Sequence, residues 1–317
     1  MSDYALSERS LKWVIHSIHS RAVVRSVRQL LGGTSSLILH LSLEVEETVQ
    51  EVVLRLFDNT EWLLEEPDAA HHEAECLRWA AKAGLPTPQL IACDVTGSEC
   101  DMPAVLMTWI EGRVQLEPTD LKSWVNGLAE TLAAIHSVEA NDFPWIYSPY
   151  IDVASPEKPS WSNVPQLWDA AIRIVQGPQP AAEPCFIHRD YHPGNVLWIG
   201  EKISGVVDWA NGCRGPAAID VGHCRRDLAL LHGIPAADAF LSAYMLHAGE
   251  RFRYDPYWDL LSLMDTLFGS PTVDPGWEAF GMNGLTDEMM RKRTDEYMIS
   301  LLNRSSESGL ATHLGKS

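Results

Sequence analysis

Two hydrophobic periods coexist in this chain, and together they exclude both an all-helical and an all-sheet fold. Between residues 22 and 57, Val24, Val27, Leu30, Leu37, Leu39, Leu41, Leu43, Val53, Leu54 and Leu56 are set among polar and charged residues. A period of two predicts strands with one wet face. The run Gly32-Gly33-Thr34-Ser35-Ser36 is read as the turn between the first two strands, and the acidic stretch Glu44 to Glu51 as the turn before a third. These strands make an antiparallel meander. Over 67–84 the period changes: Ala70, Ala74, Leu77 and Ala81 recur at helical spacing, with Pro67 and Asp68 suited to the start and Gly84 to the end. Strands are predicted over 88–93 and 104–110.

The later chain is mainly helical. A helix is predicted over 119–138, capped by Thr119 or Asp120, with Val125, Leu128, Leu132 and Ile135 as its apolar face. Residues 141–163, rich in Pro, Trp and Tyr, read as a loop, and Val164-Pro165 opens a helix through Val175. Short strands follow over 185–188, 196–199 and 203–208. From Ala217 the helical pattern runs to about Leu302, and the polar tail from Asn303 is expected to be loose. A length of 317 residues suits two domains.

Composition removes several classes of function. Lys and Arg number 24 against 43 Asp and Glu, a formal charge of −19, which opposes the counterion release on which nucleic-acid binding depends. That balance is compatible with a cationic small molecule. No apolar run is long enough to span a membrane, and the N-terminal segment, broken by Asp3, Glu8, Arg9 and Lys12, lacks the core of a signal peptide. None of the six cysteines forms a CxxC pair, and six are too few for a disulfide scaffold of this length. Idle thiols in a reducing cytoplasm are the expectation, with no membrane and no nucleic acid as partners.

The segment that carries chemistry is His188-Arg189-Asp190-Tyr191-His192-Pro193-Gly194-Asn195, followed by Val206-Val207-Asp208-Trp209. Phosphoryl transfer needs a carboxylate that orients the attacking hydroxyl and accepts its proton, and hard oxygen ligands that hold Mg²⁺ across the phosphates. Asp190 can supply the first; the amide oxygen of Asn195 and the carboxylate of Asp208 can supply the second. His188 is expected to pack behind this loop, and His192 to serve loop packing. An alternative reading has His188, Asp190 and His192 alternating on a strand, completed by Asp208, as transition-metal ligands of a metallohydrolase. The turn demanded by Pro193-Gly194 opposes it.

On these residues the chain resembles the aminoglycoside phosphotransferase and choline kinase group of the protein-kinase-like superfamily. The His-x-Asp-x-His-Pro-Gly-Asn form with a following Val-Val-Asp-Trp looks like its small-molecule kinases, and no segment like the Ala-Pro-Glu of protein kinases follows Asp208. The GGTSS turn, VVLRLF, HEAECLRWAAKAGLPTP and RGPAAIDVGHCRRDLALL extend the resemblance over most of the chain. It implies an α+β, two-lobed kinase-like fold, with a small antiparallel-sheet lobe over 1–108 and a mainly helical lobe over 109–317. It implies ATP and Mg²⁺ between the lobes, Asp190 as catalytic base, and Asn195 and Asp208 as metal ligands. Arg55 stands where the group usually has a phosphate-gripping lysine, with Glu73 as its ion-pair partner. Main-chain groups near Met107, Thr108 and Trp109 would bind the adenine, backbone amides of Thr34, Ser35 and Ser36 would cradle phosphate, and Asp220 would brace the catalytic loop. Arginine keeps the positive charge and brings a fork suited to phosphate oxygens.

The expected activity is transfer of the γ-phosphoryl of ATP to a hydroxyl of a small molecule. Arg55 and the thin glycine turn also motivate a nucleotide-binding regulator with little catalysis. For the acceptor, the late acidic residues Asp255, Asp259 and Asp265, with Trp258 beside them, are candidates to meet a cationic group. Asp255 and Asp259 lie one turn apart and can share a helix face.

Overall fold

The alternating segment becomes the middle of a six-stranded antiparallel sheet. The structure is a computed structural model that describes residues 2–30, 36–265, 267 and 269–307. It divides into two units, Met1–Arg113 with Ser204–Gly212, and Val114–Ile203 with Cys213–Ser317.

In the first unit the elements run β1 (Ser2–Asp3), α1 (Glu8–Ile18), β2 (Val23–Gln29), β3 (Leu37–Val45), β4 (Thr48–Leu56), α2 (Thr60–Glu65), α3 (Ala69–Ala80), β5 (Leu90–Asp94) and β6 (Ala104–Thr108). The sheet order is β1-β2-β3-β4-β6-β5. Register follows the hydrophobic alternation: Leu39 faces Leu54 and Leu41 faces Val52 across β3 and β4, and all four are buried. One sheet face therefore builds a core with Trp13 and Val14 of α1, Cys100, Ala104 and Leu106. Arg55 lies between Leu54 and Leu56, so its side chain leaves from the opposite face.

The acidic stretch is not a long turn. Glu44 ends in β3 and Glu51 lies in β4, joined through Glu46 and Glu47 alone, both with positive φ (49° and 69°). Partners across the ladder hold the outer glutamates in strands: Arg25 pairs with Glu44, and the Ser42 hydroxyl donates to Glu51 at 2.9 Å. Helix α3 and the 3-10 turn after it (Ala81–Ala83) end at Gly84, whose φ of +69° suits glycine. Helices α1 and α2 carry no prediction from the sequence.

The second unit holds β7 (Arg113–Val114, at the boundary), α4 (Leu121–Ile135), α5 (Pro165–Val175), β8 (Pro184–Ile187), β9 (Val196–Ile199), β10 (Lys202–Val206, whose last residues belong to the first unit), β11 (Cys213–Pro216), α6 (Ala217–His232), α7 (Ile234–Ala248), α8 (Pro256–Asp265), α9 (Pro275–Ala279) and α10 (Asp287–Glu307). The Asp120 carboxylate caps α4 by accepting from the amides of Lys122 and Ser123. Val125, Leu128, Leu132 and Ile135 are buried. Helix α6 is the centre, packed by α7, α8 and α10. Thirteen of its sixteen residues are buried, so it shows no amphipathic period. Residues 303–307 are not a loose tail, because α10 continues to Glu307 with Ser305 buried. No helix among the described residues is long and apolar enough to cross a membrane.

Gly222 sets the approach of α6 to α8. A Cβ there would lie 2.8 Å from Ser262 Cβ and 3.2 Å from Asp259 Cα. Gly→Ala in a helix interior ordinarily gains about 1 kcal/mol. Here Gly222→Ala is expected to destabilise the protein by about 1–3 kcal/mol through overpacking. Urea denaturation reads the sign, and an unchanged or raised midpoint would refute the close packing.

Candidate active site

The candidate residues divide between the units. In the second, β8 delivers the chain into the loop 188–195, and Asp220 near the start of α6 holds that loop from behind. Asp220 is fully buried. Its Oδ2 accepts from the His188 amide at 2.7 Å and the His136 ring at 3.1 Å, and its Oδ1 from the Arg189 amide at 2.8 Å. A buried carboxylate is tolerated only with such donors. The Tyr244 hydroxyl is hydrogen-bonded to His136 Nδ1, 2.6 Å away, which orients the imidazole.

Arg189 takes a left-handed backbone, φ 72°, a conformation that costs energy outside glycine and is held by its surroundings. Its amide is the one bound by Asp220. Its guanidinium is buried against Asp265 at 2.6 Å and lies over the rings of Tyr147 and Tyr150. The Tyr191 hydroxyl donates to the Leu128 carbonyl at 2.8 Å, pinning the loop to α4. His188 is buried, with its ring edge-on to Tyr191.

Between these anchors Asp190 keeps its side chain 32% exposed. Asn195 turns toward it: its Nδ2 donates to the Asp190 carbonyl at 2.9 Å and to Oδ2 at 3.3 Å. The amide oxygen of Asn195 is thereby left as a hard donor. The 3-10 turn Pro193–Asn195 places it, and the His192 ring caps that turn by accepting from the Gly194 amide.

In the first unit Asp208 sits on the segment 204–212, which is tied at both ends. The Val206 amide donates to the Pro86 carbonyl at 3.1 Å. The Gly212 carbonyl accepts from His72 Nε2 at 2.6 Å and from Cys76 Sγ at 3.2 Å. Asp208 has φ 65°, and the Trp209 indole closes its turn by donating to the Val206 carbonyl. Arg55, 4% exposed, reaches Asp208 Oδ1 at 2.8 Å and Glu73 Oε1 at 3.4 Å. One cation thus lies between two carboxylates. Met107 and Thr108 are in β6 opposite Val53 and Val52. The Thr108 and Trp109 amides donate to the Gln89 and Glu51 carbonyls. Ser36 is buried; Thr34 and Ser35 lie outside the described residues.

The carboxylate of Asp208 and the amide oxygen of Asn195 are of the donor type that suits Mg²⁺. A transition-metal site is not formed: no group of three His, Cys, Asp or Glu among the described residues can hold a metal. The left-handed Arg189 and the turn after His192 break the strand alternation that reading needs.

The late acidic residues differ from expectation: Asp259 and Asp265 face inward, and Asp255 is half-buried. Asp259 is buried against Arg225 and accepts from the Tyr254 hydroxyl at 2.6 Å. Trp258 is buried, edge-on to Tyr257. Asp255 Oδ1 accepts from the Tyr257 amide at 2.9 Å and so caps α8. Asp265 is spent on Arg189 and on the Tyr150 and Ile151 amides. Asp259 and Asp265 are thus engaged in the interior and do not face an acceptor. Sequence reasoning also misses His136, His72, His223 and Asp227, which carry no local signal.

Residues 26–265 match the model of the phosphotransferase enzyme family, APH. The chain belongs to that family. Its fold is that of kinase-like proteins, an antiparallel N-terminal sheet with a helical C-terminal region. It is similar to a thermostable mutant of aminoglycoside phosphotransferase APH(4)-Ia, with TM-score 0.61 and 20% identity, covering 93% of this chain and 99% of that one. A putative aminoglycoside phosphotransferase from Ralstonia eutropha gives TM-score 0.58 at 17% identity, covering 92% and 99%. Among curated proteins it is similar to homoserine kinase of Rhodopseudomonas palustris, 26% identical over 48% of this chain and 50% of the relative. Homoserine kinase of Mesorhizobium japonicum is 32% identical over 41% and 43%. The match spans about half the length of these curated relatives or less.

Glu73 makes the first unit sensitive to pH. Burial pushes its carboxyl from 4.5 up to about 7, opposed by Arg55 and reinforced by Asp208. Its Oε2 is buried without a hydrogen-bond partner among the described residues. The folded state then binds this proton more tightly than the unfolded state, so Glu73 stabilises the fold below its unfolded pKa. That contribution is lost as pH rises through about 7. Glu73→Gln is expected to remove this dependence. The stability difference between pH 5 and pH 7.5, read by denaturant melts, should shrink by at most about 3 kcal/mol. Identical pH profiles for both proteins would refute it.

Proposed function

We propose that the protein transfers the γ-phosphoryl group of ATP to a hydroxyl of a small-molecule acceptor. The observation that carries this reading is the loop 188–195, which presents a partly exposed Asp190 with Asn195 bonded to it and Asp220 behind it. Family membership supports the reaction class. The ternary complex of APH(4)-Ia with AMP-PNP and hygromycin B supports a nucleoside triphosphate as donor. Relatives named homoserine kinase and aminoglycoside phosphotransferase support a hydroxylated small molecule as acceptor.

In this reading Asp190 orients the acceptor hydroxyl and takes its proton as the oxygen–phosphorus bond forms. The bond from the γ-phosphorus to the bridging oxygen breaks, and its electron pair leaves with ADP. Asn195 and Asp208 would hold Mg²⁺, which when bound neutralises phosphate charge. Arg55 grips phosphate oxygens in place of an ammonium group. The braced loop contributes by positioning, since little of the chemistry is covalent for the protein.

ADP formation from ATP and Mg²⁺ with L-homoserine, hygromycin B and a panel of hydroxylated metabolites tests this. Asp190→Ala is expected to lower transfer at least about 1,000-fold while nucleotide still binds. Asp208→Ala should abolish the Mg²⁺-dependent part of nucleotide binding in calorimetry. Wild-type turnover in both variants would exclude the assignment.

A further inference from the structure

Helix α6 brings to Asp190 a side chain that the loop motif does not contain, His223, which there joins His192 of the loop. His223 Nε2 lies 3.7 Å from Asp190 Oδ1, and His192 Nε2 lies 3.9 Å from Oδ2. The two imidazoles stack, with ring centroids 5.7 Å apart and an interplanar angle of 23°. His192 is held from outside. His192 Nδ1 accepts from the Gly194 amide and lies 3.8 Å from the buried Asp227, which in turn meets Arg226 at 3.4 Å. His223 is buried on α6.

The gap at Oδ1 is informative. At 3.7 Å the imidazole and the carboxylate are too far apart for a hydrogen bond. A single oxygen placed beside both can lie at about 2.8 Å from each. Oδ2 is already served by Asn195, whereas Oδ1 accepts no hydrogen bond from a described residue. The side chain of Asp190 is open to a ligand.

We propose that His223 Nε2 and Asp190 Oδ1 together seat the acceptor's hydroxyl oxygen, so that His223 touches the reacting atom and Oδ1 is the oxygen that receives the proton. This rests on the phosphotransferase reading above. In the step, the hydroxyl proton passes to Oδ1, the oxygen bonds to the γ-phosphorus, and the bridging oxygen leaves with its electron pair as ADP. His223 gains and loses no proton; it fixes the direction of the oxygen. Burial, then the positive charge of Arg226, outweighs a backbone hydrogen bond to Arg189 and holds the ring's pKa well below 6.5, which keeps it neutral. A neutral ring does not close on Asp190 as an ion pair, and the seat stays open. The signal was absent from the sequence because His223 and Asp190 meet only through the packing of α6 on the loop.

The test uses the full chain with saturating ATP and Mg²⁺. ADP formation is measured with water alone, with L-homoserine and with hygromycin B, and Asp190→Ala is the blank. Three variants are compared. His223→Phe keeps a ring without nitrogen, His223→Asn places an amide that stops short of the Nε2 position, and His223→Gln reaches it. Phe and Asn are expected to lower kcat about 10- to 100-fold, with melting temperature and Kd for MgATP unchanged. Gln should recover most of the rate. The proposal is overturned if Phe and Asn retain the wild-type kcat, if Gln falls as far as Asn, or if kcat and nucleotide affinity fall together. Should Phe fail to fold, the Asn and Gln pair decides alone. Wild-type ADP formation no higher than the blank with every acceptor would instead overturn the phosphotransferase reading and this proposal with it.

Discussion

Three donors converge on the buried carboxylate of Asp220: the amides of His188 and Arg189 and the ring of His136. An ionised carboxylate away from water is tolerated only where donors replace its solvent, and removing them strands a charge at a cost of several kcal/mol. The arrangement couples the fold to the site in both directions. The left-handed turn at Arg189 is unfavourable for a side-chain-bearing residue, and Asp220 and Asp265 hold it from the backbone and the guanidinium end respectively. The direction in which Asp190 leaves the loop follows from that turn. Positional control of this kind is what phosphoryl transfer asks of a protein.

The first unit solves a similar problem with charge. Its segment 204–212 is tied to Pro86 at one end and to His72 and Cys76 at the other. Asp208 stands between the ties and meets Arg55. Arg55 reaches Asp208 more closely than it reaches Glu73. Glu73, with its carboxyl raised toward neutrality by burial, is the weaker of the two anionic partners. An arginine fork with five donors can address two carboxylates at once, where a lysine would offer a single point charge. Arginine at this position thus suits a site that holds an aspartate and a glutamate in register.

Much of this was legible from residues alone. Pro193-Gly194 demands a turn, and the turn is there, capped by His192. Val164-Pro165 opens α5 because proline is at home in the first helical turn. Alternation from Leu37 to Leu56 sets which side chains enter the core, although the acidic stretch proved to be strand, since charges on the wet face of a hairpin read like a turn. The late aspartates were misplaced for a different reason. Helical spacing puts Asp255 and Asp259 on one helix but cannot show that Arg225, from α6, waits in the interior for Asp259. Buried ion pairs join residues distant in the chain, and periodicity carries no information about them.

From the sequence by itself came the two structural regimes, the loop with Asp190 and Asn195, and the later Asp208, because turn chemistry, hydrophobic period and motif order are local properties. Tertiary structure alone decided that His136 joins Asp220 behind the loop, that His72 anchors the segment of Asp208, and that His223 stands 3.7 Å from Asp190. Each of these depends on where one packed element meets another. A side chain's partner across such a junction is set by shape and burial over the whole unit, which no short stretch of residues encodes.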